Sequence, residues 1–166
     1  MKILVDADAI IKLTKAGLKE IVVTTFITVI PRVVEQEVVR EGKLAGFHDA
    51  VQVGDNIDLG RLEVAEPIAD EPVQAALFHC GDRAIVSHAL LGGFAAVVTD
   101  DSALLHRLKQ LGVSATVPAA IVVAVGRRRK LPSAEVVHLL DLLAPHISRD
   151  EYTTYQLLVE GRYPRK

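Results

Sequence analysis

Two short apolar runs in this chain end on paired acidic residues. MKILVDADAI ends on Asp6 and Asp8, and FAAVVTDDS ends on Asp100 and Asp101. If both runs are strands of one parallel sheet, the acids lie at the same sheet edge, because the carboxyl ends of parallel strands meet there. Two carboxylates about 5 Å apart repel by roughly 3 kcal/mol at an effective dielectric near 20, so a cluster must take up protons or cations. The pattern therefore predicts an α/β fold with a Mg²⁺ or Mn²⁺ site at one sheet edge.

The composition indicates a soluble, globular chain of one domain. Half of the 166 residues are apolar, which is enough to form a full core. The single cysteine, Cys80, excludes an internal disulfide and a multi-cysteine zinc site. The longest apolar stretch, Ala119 to Val125, is far shorter than the roughly 20 residues of a membrane span, so we expect a cytoplasmic protein without a membrane partner. A formal net charge of −2 argues against a uniformly basic nucleic-acid-binding surface.

Apolar periodicity predicts strands that alternate with helices, the pattern of a parallel sheet. Beyond Leu131 the sequence is purely helical through Leu143, and a last helix is predicted near Tyr152–Leu158. We therefore divide a single domain, residues 1–166, into a sheet core at 1–130 and a helical tail at 131–166 packed on it. Strands are predicted at Ile3–Val5, Ile27–Ile30, Leu62–Ala65 and Ala95–Thr99, helices at Asp8–Lys15, Arg32–Arg40, Asp70–His79, Gly81–Leu91 and Ser102–Leu111, and a looser stretch with a Gly-Asp-Asn turn at Gly46–Gly60.

Two further acids are predicted to face inward from helices. On a helical wheel, Glu37 falls on the apolar arc of the helix after Pro31, whereas Glu35 falls on the opposite side. An unpaired carboxylate on a buried arc is costly, so Glu37 is a candidate functional residue. Asp82 begins the helix after Gly81 on the face of its apolar residues. It is either a functional acid or an ordinary partner of the helix N-terminus.

One basic run follows an apolar helix. Arg127, Arg128, Arg129 and Lys130 either form a solvated turn or contact the phosphates of a nucleic acid. Tryptophan is absent and phenylalanine and tyrosine are few, so base stacking on an aromatic platform is not expected.

Four short motifs, in their order along the chain, resemble those of the PIN-domain nucleases. They are ILVDAD at the first strand, VIPRVVEQEV at the second strand and its helix, then GDRAIVSHA and VVTDDSALL. The resemblance covers Met1 to about Val117 and implies a three-layer α/β/α fold with a central, mainly parallel sheet. It also implies a Mg²⁺- or Mn²⁺-dependent ribonuclease acting on RNA, often the toxin of a toxin–antitoxin pair, with an acidic cluster at one sheet edge.

Carried over residue by residue, the resemblance implies catalytic roles for Asp6, Glu37, Asp82 and Asp101. The implied metal ligands are Asp6, Asp82 and Asp101, with Asp100 as the alternative for the last. Asp8 departs from the family pattern, in which Ser, Thr or Asn is common, and it either adds a ligand or caps the first helix. These residue types suit the chemistry, because carboxylates hold hard cations and a bound metal acidifies a coordinated water that attacks a phosphodiester.

Two other functions stay open from the residues alone. Asp6-Ala7-Asp8 also resembles the D-x-D nucleophile motif of haloacid-dehalogenase-type phosphatases, although no lysine lies between Lys43 and Lys109 to hold the phosphoryl group. A non-catalytic, PIN-like nucleic-acid-binding protein is the other alternative.

The tail predicts a protein partner. Its helix carries an apolar surface wider than one small sheet face covers, so we expect a homodimer that also offers a groove to an antitoxin helix. The apolar residues are Val136, Val137, Leu139, Leu140, Leu142 and Leu143.

Overall fold

A parallel sheet forms the centre of the fold. The structure, a computed structural model, describes residues 1–69, 72, 75 and 80–161. In these residues the sheet has five strands in the order β3, β2, β1, β4, β5, and each neighbouring pair is parallel. The strands are β1 Lys2–Val5, β2 Ile27–Pro31, β3 Leu62–Ala65, β4 Ala96–Val98 and β5 Ala115–Thr116. The strand order reverses between β1 and β4, which is where open α/β sheets place their sites.

Helices cover both faces of the sheet. Because β–α–β crossovers are right-handed, the connections from β1 to β3 lie on one face and those from β3 to β5 on the other. On the first face α1 contacts α2, α5 and α8, and from the second α6 contacts β1 and β2. The helices are α1 Ala7–Lys15, α2 Lys19–Val23, α3 Arg32–Glu35, a π-helix Gln36–Glu41, α4 Gly42–Leu44, α5 His48–Asp58, α6 Cys80–Leu91, α7 Ser102–Gln110, α8 Pro118–Arg129, α9 Ser133–Leu143, a 3₁₀-helix Ala144–His146 and α10 Arg149–Val159. The predicted three-layer α/β/α fold is confirmed.

The central strand β1 is buried on both faces. Ile3, Leu4 and Val5 are fully shielded from solvent, as expected for a strand with helices on both sides. Val136 and Leu140 of α9 belong to the same cluster of buried residues as this strand. The sheet and the helical tail therefore share one continuous core.

The tail covers most of the apolar surface for which a partner was predicted. α9 and α10 pack against α8, and Gly126 of α8 permits the close approach, since a Cβ atom there would lie 2.3 Å from Val136 Cγ2. Val136, Leu140 and Leu143 are buried, whereas Leu142 is 42% exposed. Much of the apolar surface of this helix therefore packs within the chain, and Leu142 is the part of it that stays exposed. The homodimer itself stays a prediction.

The stretch predicted as loose, Gly46–Gly60, contains the helix α5. Its Gly-Asp-Asn triplet has the composition of a turn. Gly54 nevertheless lies inside the helix, where the preceding helical segment comes so close that a Cβ atom would lie 3.3 Å from Val39 Cγ1. Ala50 and Val53, three residues apart on one face, are buried. Tertiary packing thus outweighs the local turn preference.

The four predicted strands are confirmed to within one or two residues at each end. Periodicity does not predict α2 or β5, because five- and two-residue elements are too short to show a period. The helix predicted at Asp70–His79 lies largely outside the described residues. In the part of the chain that the structure describes, no helix combines the length and the apolar character needed to cross a bilayer.

Candidate active site

The acids at the ends of β1 and β4 lie side by side. These strands are adjacent, with Val5 paired to Val98, and the amide of Asp6 donates to the Val98 carbonyl oxygen at 3.1 Å. Asp6 follows β1 directly, and Asp100 comes two residues after the end of β4. The structure thus brings together two carboxylates that are 94 positions apart in the sequence.

Asp6 is a buried carboxylate that also begins α1. Its Oδ1 accepts a hydrogen bond from the Ala9 amide at 2.7 Å, so Asp6 is the N-cap of this helix. Burial raises the pKa of Asp6 to about 6. Hydrogen bonds from Thr99 and Ala9 oppose this rise, while the charges of Asp100 and Asp8 add to it. The alternative that Asp8 caps the helix is wrong, since Asp8 lies exposed in the first turn.

A lysine lies among these acids. The ammonium of Lys12 in α1 forms a hydrogen-bonded ion pair with Asp100 Oδ2, and the two side chains are only 26% and 16% exposed. Burial alone would lower the pKa of Lys12, but the hydrogen bond and charge of Asp100 and the charges of Asp8 and Asp6 raise it. The acidic edge therefore contains a permanent positive charge that the sequence pattern does not predict.

Asp100 and Asp101 have different surroundings. Asp101 Oδ1 accepts from the Leu104 amide at 2.7 Å, which makes Asp101 the N-cap of α7. Its carboxylate is exposed, whereas Asp100 is partly buried beside Lys12 and acts electrostatically on Asp6. The geometry favours Asp100 over Asp101 as the fourth acid of the site.

Glu151 brings a carboxylate from the tail to the same edge. It is half-buried in the first turn of α10, and its Oε1 accepts from the Ala119 amide at the start of α8 at 2.9 Å. Burial raises the pKa of Glu151, and the charges of Asp100 and Lys12 act on it in opposite directions. The sequence pattern does not predict a place for Glu151 in the site. The available signal was Ser148 three positions earlier, because Ser-x-x-Glu is typical of a helix start, although here the glutamate caps a different helix.

The buried acid after Pro31 is Glu35 rather than Glu37. Glu35 is 7% exposed and pairs with Arg32 at 3.3 Å and with Arg40 at 3.4 Å. Glu37 is exposed. The wheel prediction for these two residues is wrong: Glu35 is buried together with two arginine partners, and Glu37 leaves the apolar arc because the helix becomes a π-helix at Gln36. Its i→i+5 hydrogen bonds place an extra residue in the turn, so a constant 100° step no longer applies.

Glu37 still lies on the side of the acids. Local desolvation raises the pKa of Glu37, and the charges of Glu41 and Asp8 raise it further. Its catalytic role stays a prediction, supported by this proximity to Asp8.

Exchanging these two glutamates for glutamine is expected to affect stability differently. Glu35→Gln removes the charge that two arginines contact in a buried position, so we expect a loss of about 1–3 kcal/mol in the free energy of unfolding. Glu37→Gln removes a carboxylate that lies near other acids, so stability should stay level or rise. Urea unfolding of the metal-free protein measures both. A larger loss for Glu37→Gln would show that Glu37 is the buried, paired residue.

Asp82 lies in the first turn of α6, as predicted. Since α6 leads into the parallel strand β4, its N-terminus lies at the carboxyl edge of the sheet. The side chain is exposed and takes part in interactions within the molecule. The fold therefore places Asp82 at the same edge as Asp6 and Asp100, and its metal-binding role stays a prediction.

The basic run lies at the opposite end of the molecule from these acids. α8 begins at the carboxyl edge of the sheet, and its 12 residues extend about 18 Å. The basic run forms the last turn of this helix. Arg129 donates to the hydroxyls of Thr24 and Thr25 at 2.6 and 2.7 Å. The Arg128 guanidinium lies 5.9 Å from the centre of the Phe26 ring. Both contacts attach the end of α8 to the segment around α2.

The other two members of the run, Arg127 and Lys130, are exposed and line a cleft between α8, α9 and α10. Phosphate contact by the run stays a prediction. Any such contact would lie away from Asp6 and Asp100.

The acids at this edge are suitable ligands for a hard divalent cation. The charges of Asp8 and Asp100 raise the pKa of the buried Asp6, so the three carboxylates lie near one another, and the ammonium of Lys12 lies against Asp100. Among the described residues, no three His, Cys, Asp or Glu side chains form a ready-made metal cage. Mg²⁺ does not need one, because it keeps several waters and binds through one or two carboxylates and substrate phosphates. The residues therefore fit Mg²⁺ or the similar Mn²⁺.

Comparison with known proteins agrees with this geometry. A family model described as a PIN domain matches residues 2–159, which is nearly the whole chain. The search of curated proteins found no match to this chain. The order of acids along the sequence, the parallel sheet and the family model lead to the same assignment, and the chain belongs to the PIN-domain family.

Proposed function

We propose that the protein is a Mg²⁺- or Mn²⁺-dependent endoribonuclease that hydrolyses phosphodiester bonds of single-stranded RNA. PIN domains are generally nucleases. The observation that carries the proposal is the placement of Asp6 and Asp100 side by side at the carboxyl edge, with the pKa of buried Asp6 raised to about 6. The family assignment lends no support to the phosphatase alternative.

In this proposal Asp6 and Asp100 would hold the cation, and the charge of Asp8 acts beside them. When bound, the cation would acidify a water and stabilise the negative charge that develops on the phosphate. Thr99 keeps the acids in register, because its hydroxyl hydrogen-bonds to the Asp6 carboxylate and accepts from the Asp101 amide at 3.1 Å. The neighbouring acids make the site strongly negative, which favours loading with a divalent ion before the RNA phosphate arrives.

Glu37 and Asp82 are proposed as the remaining acids of the site. Both come from segments that the fold brings to this edge, and both are exposed and therefore accessible to substrate. A toxin role in a toxin–antitoxin pair, a homodimeric state and a cytoplasmic location are finer proposals within the same function.

The purified protein is expected to cut end-labelled single-stranded RNA with Mn²⁺ or Mg²⁺ and to leave it intact in EDTA, because the acids need a cation for water activation. Gel analysis of the products measures this. Asp6→Asn, purified in parallel, is expected to be inactive. Asp58→Asn, which changes an exposed acid at the far end of α5, should retain full activity.

Two results would contradict the proposal. Full cleavage in EDTA would exclude a metal-dependent mechanism. Equal cleavage by wild type and Asp6→Asn would trace the activity to a contaminating nuclease or to another part of the surface.

A further inference from the structure

The ammonium of Lys12 lies among the acids that are proposed to bind a divalent cation. This ammonium pairs with Asp100 Oδ2, and the charges of Asp8 and Asp6 also act on it. Glu151 from the tail acts on both members of the pair. Asp6 caps the helix that carries Lys12, so the backbone of α1 fixes the positions of these two residues relative to each other.

We propose that Lys12 is a built-in second cation of the acidic edge, so that this edge takes up one divalent ion rather than two. The inference rests on the proposed function, in which Asp6 and Asp100 would hold a divalent ion. It makes Lys12 a positioning residue that sets the number of metal ions.

The charge balance supports a single ion. Four carboxylates interact with the one ammonium, and they are Asp6, Asp8, Asp100 and Glu151. The ammonium cancels one of these negative charges, so it weakens the attraction of the edge for a second divalent ion. A variant without the ammonium has one more uncompensated negative charge at the same place, which favours uptake of the second ion.

Lys12 also occupies a ligand atom. While its ion pair is intact, Asp100 Oδ2 is engaged by the ammonium and is not free for a second ion. The pair is more shielded than a surface pair such as Lys2 with Glu63, whose side chains are 41% and 52% exposed. Shielded pairs are screened less by salt, so the ammonium competes well against dissolved cations.

The test counts bound Mn²⁺ per chain, without RNA, by electron paramagnetic resonance of free Mn²⁺ and by titration calorimetry. Wild type is expected to bind one ion. Lys12→Met keeps the apolar stem but removes the charge, and it is expected to bind two, the first at least about tenfold more tightly. Lys12→Arg should bind one. The matched control is Lys15→Met, which removes an exposed charge from the last turn of the same helix and should also bind one.

Two ions in wild type would overturn the inference, and so would a single ion in a folded Lys12→Met. Either result leaves the proposed nuclease function standing. If Lys12→Met does not fold, Lys12→Gln, which also removes the charge, is expected to bind two ions, and a single ion in that variant would overturn the inference. Absence of any Mn²⁺ binding by wild type would overturn the proposed function together with this inference.

Discussion

Asp100→Asn is expected to reduce RNA cleavage by more than about a hundredfold, because changes to residues that only orient metal ligands already cost 10–100-fold. Asp101→Asn should cost less than about tenfold, since asparagine and aspartate are equally good N-caps. The reason for the difference is geometric. Asp100 lies beside Asp6 and pairs with Lys12, whereas the Asp101 carboxylate caps α7.

Single-turnover rates at saturating Mn²⁺ measure this pair of variants, and thermal unfolding shows that both remain folded. Asp58→Asn is the control for exchanging an exposed carboxylate far from the site. A greater loss of cleavage rate for Asp101→Asn than for Asp100→Asn would show that Asp101 is the fourth acid of the site.

The metal-free protein is expected to lose stability through Asp6 as the pH rises. The pKa of Asp6 is about 6 in the folded state against 3.8 for an ordinary aspartate. Between these values the folded state binds more protons than the unfolded state, so ionisation of Asp6 opposes folding as the pH rises. At about 1.4 kcal/mol per pKa unit, the full effect is on the order of 3 kcal/mol above pH 7 and vanishes below pH 4.

Asp6→Asn removes this titration and keeps an N-cap, so its advantage over wild type should grow from about zero near pH 4 to about 3 kcal/mol near pH 8. Urea unfolding in EDTA at a series of pH values gives the difference in the free energy of unfolding between Asp6→Asn and wild type. The titration of groups common to both proteins cancels in this difference. The stability difference between Asp58→Asn and wild type should not grow with pH. A variant that is less stable than wild type at pH 8 would show that the Asp6 carboxylate stabilises the fold.

The main architecture could be predicted because it depends on local patterns. Ile3–Val5 and Ala95–Thr99 are apolar runs that end on acids, and parallel strands bring such ends to one edge whatever the side-chain details. The prediction of neighbouring carboxylates at Asp6 and Asp100 needed only this topology. The carboxyl edge and the strands that form it could therefore be predicted from the sequence.

Other features depend on contacts that no local pattern encodes. Lys12 meets Asp100 across 88 positions, and Glu151 reaches Ala119 across 32. The helical wheel failed at Glu37 because the helix changes its hydrogen-bonding period at Gln36. Of the paired acids after β4, the sequence could not tell which would turn inward and which would cap a helix.

The basic run at the far end of α8 separates exposed positive charge from the acids at the carboxyl edge. The length of this helix, about 18 Å, is roughly two Debye lengths at physiological ionic strength. In the proposed ribonuclease, a phosphate at the acidic edge would be screened from Arg127 and Lys130, and at low salt these cations would attract RNA to the end of the molecule away from the acids. In the same proposal, ionic strength would then govern where RNA first binds, while the divalent ion and Lys12 would act on the phosphate that reaches the acids.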